Sequence, residues 1–134
     1  MRQLLVKELR EIEGLPIIGR VSAGLGVVAT HDVEGQFSFK GFSYGEDYLL
    51  RVKGDSMIDA GIMDGDLVQV RRQPHADEGD IVVAIVGGED GVVKRLVREG
   101  RAYVLESANP KYRPILRDFQ VVGKVLALVR RYSP

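Results

Sequence analysis

The sequence predicts a mainly β protein, a compact fold of small sheets or a partial barrel with few or no helices. Two observations carry that expectation. Short runs rich in β-branched residues recur: YLLRVKG (48–54), DLVQVR (66–71), IVVAIV (81–86), VVKRLV (92–97), Tyr103 to Glu106 and Val121 to Val129. Turn-forming residues separate them, with GGEDG (87–91) suited to a hairpin loop and Asp64-Gly65-Asp66 to a tight turn.

Taken in order, residues 3–12 (QLLVKELREI) suit a short helix or an extended arm, and Gly14 and Pro16 end any helix there. From Pro16 onward the chain reads as strands. Gly24 to Phe42 and Ser107 to Asp118 carry Gly, Pro, Asn or Ser and are expected to run as loops. There is no internal repeat and no low-complexity tract.

A chain of 134 residues fits one domain and buries a core without staples. With no cysteine, disulfides, thiol catalysis and Cys-ligated metals are excluded, and no cofactor or metal is expected. Nineteen basic and nineteen acidic residues cancel, and no basic block stands out. That argues against a domain that itself grips DNA, which usually shows a basic face. Apolar runs such as Ile81 to Val86 are too short to cross a bilayer. MRQLLVKELR lacks the apolar stretch of a signal peptide. A soluble, cytoplasmic protein with no membrane partner is the expectation.

The chemistry concentrates in VKGDSMIDAGIMDGDLV, residues 52–68. Ser56 follows Gly54 and Asp55 as a nucleophile can, but Met57 replaces the glycine of trypsin-like proteases, and the G-x-S-x-G elbow is absent. A hydroxyl nucleophile needs a base. The two histidines, His31 in ATHDVEG and His75 in QPHADEG, fall in polar loops. Lys94, inside VVKRLV, is the other candidate, because burial disfavours the ammonium and frees the amine. Strand alternation does not choose its face: Val92 and Leu96 flank Lys94, Val93 and Val97 flank Arg95, and either cation can point inward. On this pattern alone the plainer reading is Ser56 as a turn residue and Lys94 as a cation snorkelling from an edge strand.

GDSMIDAGIMDGDLV, followed by GDIVVA and VVKRL, resembles the self-cleaving peptidase domain of the LexA repressor and its UmuD relatives. The likeness extends upstream to GLPIIGRVSAG (14–24) and downstream through NPKYRPI (109–115). It implies a domain over 14–134, a cleavage region near 20–28, and residues 1–13 as an N-terminal arm or linker remnant. It further implies Ser56 as nucleophile, Lys94 as general base, and a scissile bond between Ala23 and Gly24. In that setting Gly54 lets the backbone turn sharply, and the turn through Asp55 and Met57 presents N–H groups to a developing oxyanion. Met57 and Ile58 are expected beneath the turn in the core. Asp55 and Asp59 are expected to be solvated or capping, and Asp64 and Asp66 structural.

The resemblance implies partners as well. These are a homodimer through residues 121–131, with Val121, Val125, Ala127 and Val129 on one face and Val122, Leu126 and Leu128 on the other, and a RecA filament on single-stranded DNA that promotes cleavage. Thirteen residues before Gly14 cannot form a helix-turn-helix unit, so DNA contact is expected only through an N-terminal domain not present in this chain. The LexA likeness implies repressor inactivation in the SOS response to DNA damage. The UmuD likeness implies a free-standing protein that assists an error-prone polymerase after self-cleavage. A non-catalytic dimerisation module is a third possibility.

Overall fold

The computed structural model describes residues 3–4, 14–21, 28–29, 33–37, 45 and 47–132. Ten strands follow in chain order: β1 (Gln3–Leu4), β2 (Leu15–Ile18), β3 (Val28–Ala29), β4 (Val33–Phe37), β5 (Tyr48–Arg51), β6 (Leu67–Arg72), β7 (Ile81–Val86), β8 (Gly91–Glu99), β9 (Ala102–Glu106) and β10 (Phe119–Val129). Eight form one mixed sheet in the order β4-β2-β5-β6-β10-β7-β8-β9, while β1 and β3 pair separately. Within the sheet only β2 and β5 run parallel; the other neighbours are antiparallel. Among the described residues the one helical piece is a 3-10 turn, Ile58–Ala60. The protein is mainly β, as its sequence predicts.

The strand expectations hold with small shifts of boundary, and β7 falls on the expected residues. Of residues 3–12, the two described, Gln3 and Leu4, are extended. The loop expected over Gly24 to Phe42 needs correction, because it contains β3 and β4. In β4 the sequence VEGQF has three exposed residues between two half-buried ends. Such an edge strand carries little intrinsic signal; its partner β2 supplies the ladder that makes it a strand. Ser107 to Asp118 runs as the expected loop, touching the sheet through reciprocal hydrogen bonds between Leu105 and Ile115.

Both faces of the sheet are covered. In β5, Leu49 packs with Leu15, Ile17 and Leu67, whereas the next residue, Leu50, packs with Ile18, Val68, Val70 and Val83. In β7, Val83 and Ile85 join the second group while Val82, Ala84 and Val86 pack with Leu96 and Leu105. This two-residue period explains why these strands read as continuous apolar runs rather than alternating ones. Each fully buried aliphatic side chain contributes about 1.5–3 kcal/mol relative to exposure.

β10 lies in the middle of the sheet, between β6 and β7, with register shifts at Val121/Gly123 and at Val125/Ala127. An extra residue at each bulge breaks the simple alternation expected for 121–129. Val122 and Val125 consequently pack on the same cluster, not on opposite faces. Leu126 and Leu128 stay exposed, at 41% and 40%.

Candidate active site

Three segments converge on one cleft: the turn leaving β5, the first half of β8, and the loop leaving β9. The turn is built from the backbone outward. Val52 and the following hairpin exchange hydrogen bonds, Val52 N–H to Asp66 O and Gly65 N–H to Val52 O, each 2.8 Å. Gly54 then takes φ +86°, a conformation L side chains rarely adopt, and its N–H donates to Asp64 Oδ1 at 2.7 Å. The reversal leaves Ser56 half-buried and drives Met57 into the core at 1% exposure. Ile58 does not follow it, which corrects the expectation. It opens the 3-10 turn and is 41% exposed, because the tight turn points successive side chains in different directions.

On β8 the fold resolves the ambiguity between the two cations. Lys94 stands opposite Val82 on the apolar side and is 8% exposed. Arg95 takes the other face, where its Nη1 donates to Gly79 O at 2.7 Å. Lys94 Nζ donates to Ser107 Oγ at 2.9 Å, a contact between two buried groups. Burial holds the Lys94 pKa below the usual lysine value, since the ammonium loses more hydration than the amine. Ser107 was not legible as a functional residue, because the 13 positions separating it from Lys94 are bridged only by the β8–β9 pairing.

Ser56 and Lys94 line the same cleft, of about 390 Å³, together with Gly54, Asp55, Met57 and Tyr112. The loop after β9 grips the serine's turn from the far side. Asn109 Nδ2 donates to Asp55 O at 2.9 Å, and Asp59 N–H donates to Ala108 O at 2.7 Å. The Asp55 carboxylate accepts from Lys111 Nζ at 2.8 Å and from the Tyr112 hydroxyl at 2.5 Å. Those two bonds, Lys111 first, hold the Asp55 carboxyl below its usual pKa. Asp55 is therefore more than a solvated or capping residue. Its partners lie 56 and 57 positions away, beyond any local sequence signal. Asp66 has the structural role expected of it, buried and held by Arg130 through two 2.7 Å bonds.

Ala23, Gly24 and His31 lie outside the described residues. The chain just before Ala23 does reach the cleft. Val21 is buried, lines it, and accepts a hydrogen bond from Gly91 N–H at 2.6 Å. A methyl group at position 91 would sit 3.2 Å from both Val21 Cβ and Val83 Cγ1, so a side chain there would have to shift its neighbours by a few tenths of an ångström. His75 is exposed and does not line the cleft. Among the described residues no cluster of His, Asp or Glu could hold a metal ion, and no helix is long and apolar enough to cross a membrane. A hydroxyl and a desolvated amine in one cleft are the parts of a nucleophile and its base.

A family model described as Peptidase S24-like matches residues 16–126, most of the chain and all three converging segments. The chain belongs to the Peptidase S24-like family. One curated relative, the LexA repressor of Geobacillus kaustophilus (strain HTA426), is 42% identical over 131 residues. The alignment covers 95% of this chain and 63% of that relative, so this chain spans just under two thirds of its length.

Proposed function

We propose that this chain is the self-cleaving peptidase portion of a LexA-type repressor, cutting its own Ala23-Gly24 bond with Ser56 as nucleophile and Lys94 as general base. The observation that carries the proposal is the cleft itself. Ser56 and the buried Lys94 line it, and Val21 is bonded to its wall at Gly91. Ala23 lies two positions after Val21, at most about 7 Å of extended chain, so the scissile carbonyl has a short tether. Such tethering makes the reaction intramolecular and supplies orientation before any chemistry.

In the proposed sequence the neutral Lys94 amine takes the proton of Ser56 Oγ as that oxygen attacks the carbonyl carbon of Ala23. The tetrahedral oxyanion faces the backbone of the 55–57 turn, where the N–H groups of Ser56 and Met57 have no hydrogen-bond partner among the described residues. Collapse breaks the carbon–nitrogen bond, and the Lys94 ammonium returns its proton to the leaving Gly24 nitrogen. Water, deprotonated by Lys94, then hydrolyses the Ser56 ester and frees the Ala23 carboxylate. Because only the amine can act as base, the rate rises with pH until Lys94 is deprotonated.

The named relative is a repressor, which favours repressor inactivation in the SOS response over an UmuD-like role with a polymerase. The same likeness supports stimulation by a RecA filament on single-stranded DNA, acting by favouring the cleavable conformation. It also supports a homodimer through β10, where Leu126 and Leu128 are exposed. The test is incubation of the purified protein from pH 7 to 10.5, the ordinary lysine value, with mass analysis of the fragments. Two fragments joined at Ala23-Gly24, a rate that rises with pH, and loss of cleavage in Ser56→Ala and Lys94→Ala are expected. A cut elsewhere, a pH-independent rate, or wild-type cleavage by either variant would overturn the assignment.

A further inference from the structure

Nucleophile and base sit on different segments, and something must hold them in register across the cleft. We propose that Tyr112 is a positioning residue that couples the turn carrying Ser56 to the side chain of Lys94. This rests on the Ser56–Lys94 reading above and adds a third side chain to it. Tyr112 touches both segments at once. Its hydroxyl donates to Asp55 Oδ1, on the residue next to the nucleophile, and its ring centroid lies 5.4 Å from Lys94 Nζ. It lines the cleft but is 39% exposed, so its side chain is not needed to fill the core.

The loop that carries Tyr112 is itself tied to both partners, so the connection does not rest on the tyrosine alone. Ser107 at its start accepts from Lys94, Asn109 in its middle donates to Asp55 O, and Lys111 shares the Asp55 carboxylate with Tyr112. A charge-assisted bond from a phenol to a carboxylate is stronger than a neutral one and is strongly directional. It therefore fixes the lateral position of the Asp55-Ser56 peptide relative to the ring. The ring in turn presents its negative face to Lys94 and restricts where Nζ can sit. A displacement of about 1 Å between reacting groups is enough to cost two orders of magnitude in rate.

The hydroxyl and the ring have separable consequences. Lys94 meets Ser107, just after β9, and the Tyr112 ring, whose centroid also lies 5.5 Å from Lys111 Nζ; Ser56, Asp55, Lys53, Arg20, Arg51 and Asp90 line the same cleft. Tyr112→Phe leaves all of these and the ring in place, so it slows cleavage at high pH about five- to tenfold without moving the midpoint of the pH profile. Tyr112→Leu keeps Lys94 covered but lacks the ring's attraction for the ammonium, so it slows cleavage and also moves the midpoint to lower pH. If the hydroxyl acts through Asp55, Tyr112→Phe has no further effect in an Asp55→Ala background.

The experiment measures first-order self-cleavage of the full chain against pH for these variants and the double variant, with urea unfolding of each in parallel. The coupling is overturned if Tyr112→Phe cleaves at the wild-type rate, if its effect multiplies with that of Asp55→Ala, or if Tyr112→Leu leaves the midpoint unmoved. It is also overturned if the loss in rate follows a loss in folded protein. Failure of the underlying reading is distinguishable, because it would appear as cleavage by Ser56→Ala or Lys94→Ala whatever Tyr112 does.

Discussion

Replacing Ser107 by alanine removes one buried oxygen that accepts from Lys94 Nζ at 2.9 Å. The consequence depends on the charge of the lysine at each stage. With the amine neutral, the lost bond is an ordinary one, contributing about 0.5–1.5 kcal/mol; with ammonium the loss is about 1.5–3 kcal/mol. In the proposed mechanism Lys94 is neutral in the reactive ground state and gains the serine's proton in the transition state. The differential loss is therefore about 1–1.5 kcal/mol, a rate reduction of about five- to twelvefold where Lys94 is fully deprotonated. At lower pH the starting state is already the ammonium, which loses the same bond as the transition state. There the variant and wild type converge. Equivalently, the lost acceptor lowers the Lys94 pKa further, so the midpoint of the profile moves to lower pH while the plateau falls. Ser107→Thr restores the oxygen and should restore the profile. The assay is the first-order rate of fragment appearance from neutral pH to 10.5. A loss by the same factor at every pH would reduce Ser107 to a structural residue, and an unchanged plateau would refute the reasoning outright.

Two other outcomes are expected. Leu126 and Leu128 are each about two-fifths exposed; covering one in a two-fold dimer gains about 0.6–1.2 kcal/mol per copy, taking full burial as about 1.5–3 kcal/mol. Leu126→Glu, counted in both copies and with a carboxylate forced into the contact, should weaken dimerisation at least about tenfold. Sedimentation velocity reads this, and a wild type that is monomeric at about 10–50 µM would end the dimer proposal. Lys94→Met should make the domain more stable at pH 7, because it removes a cation whose burial costs hydration. The sign follows from linkage: the folded pKa is depressed, so the unfolded chain binds the extra proton between the folded value and 10.5. Wild-type stability thus rises with pH through that window, and the advantage of the methionine variant shrinks toward 10.5. Urea titrations at both ends decide it, and a margin that is constant or grows with pH contradicts the burial argument.

What the sequence by itself determined is local. IVVAIV and VVKRLV read as strands from their own residues, because β-branched side chains suit a pleated, half-buried surface and glycine turns bound each run. Gly54 marks a turn two residues before Ser56, since glycine readily takes the left-handed backbone that other residues avoid. The resemblance of GDSMIDAGIMDGDLV and VVKRL to a known peptidase named Ser56 and Lys94 before any distance was at hand. The tertiary structure decided everything that depends on residues distant in the chain. It turned Lys94 rather than Arg95 inward, since two valine-flanked cations are equivalent until β7 and the neighbouring cluster claim one face. It made β4 a strand through β2, and it upset the alternation of β10 with two bulges. It also assembled Ser107, Asn109, Lys111 and Tyr112 around Lys94 and the turn that carries Ser56. No periodicity announces such contacts, because a hydrogen bond between residues 13 to 57 positions apart is specified by how the sheet folds and not by spacing along the chain.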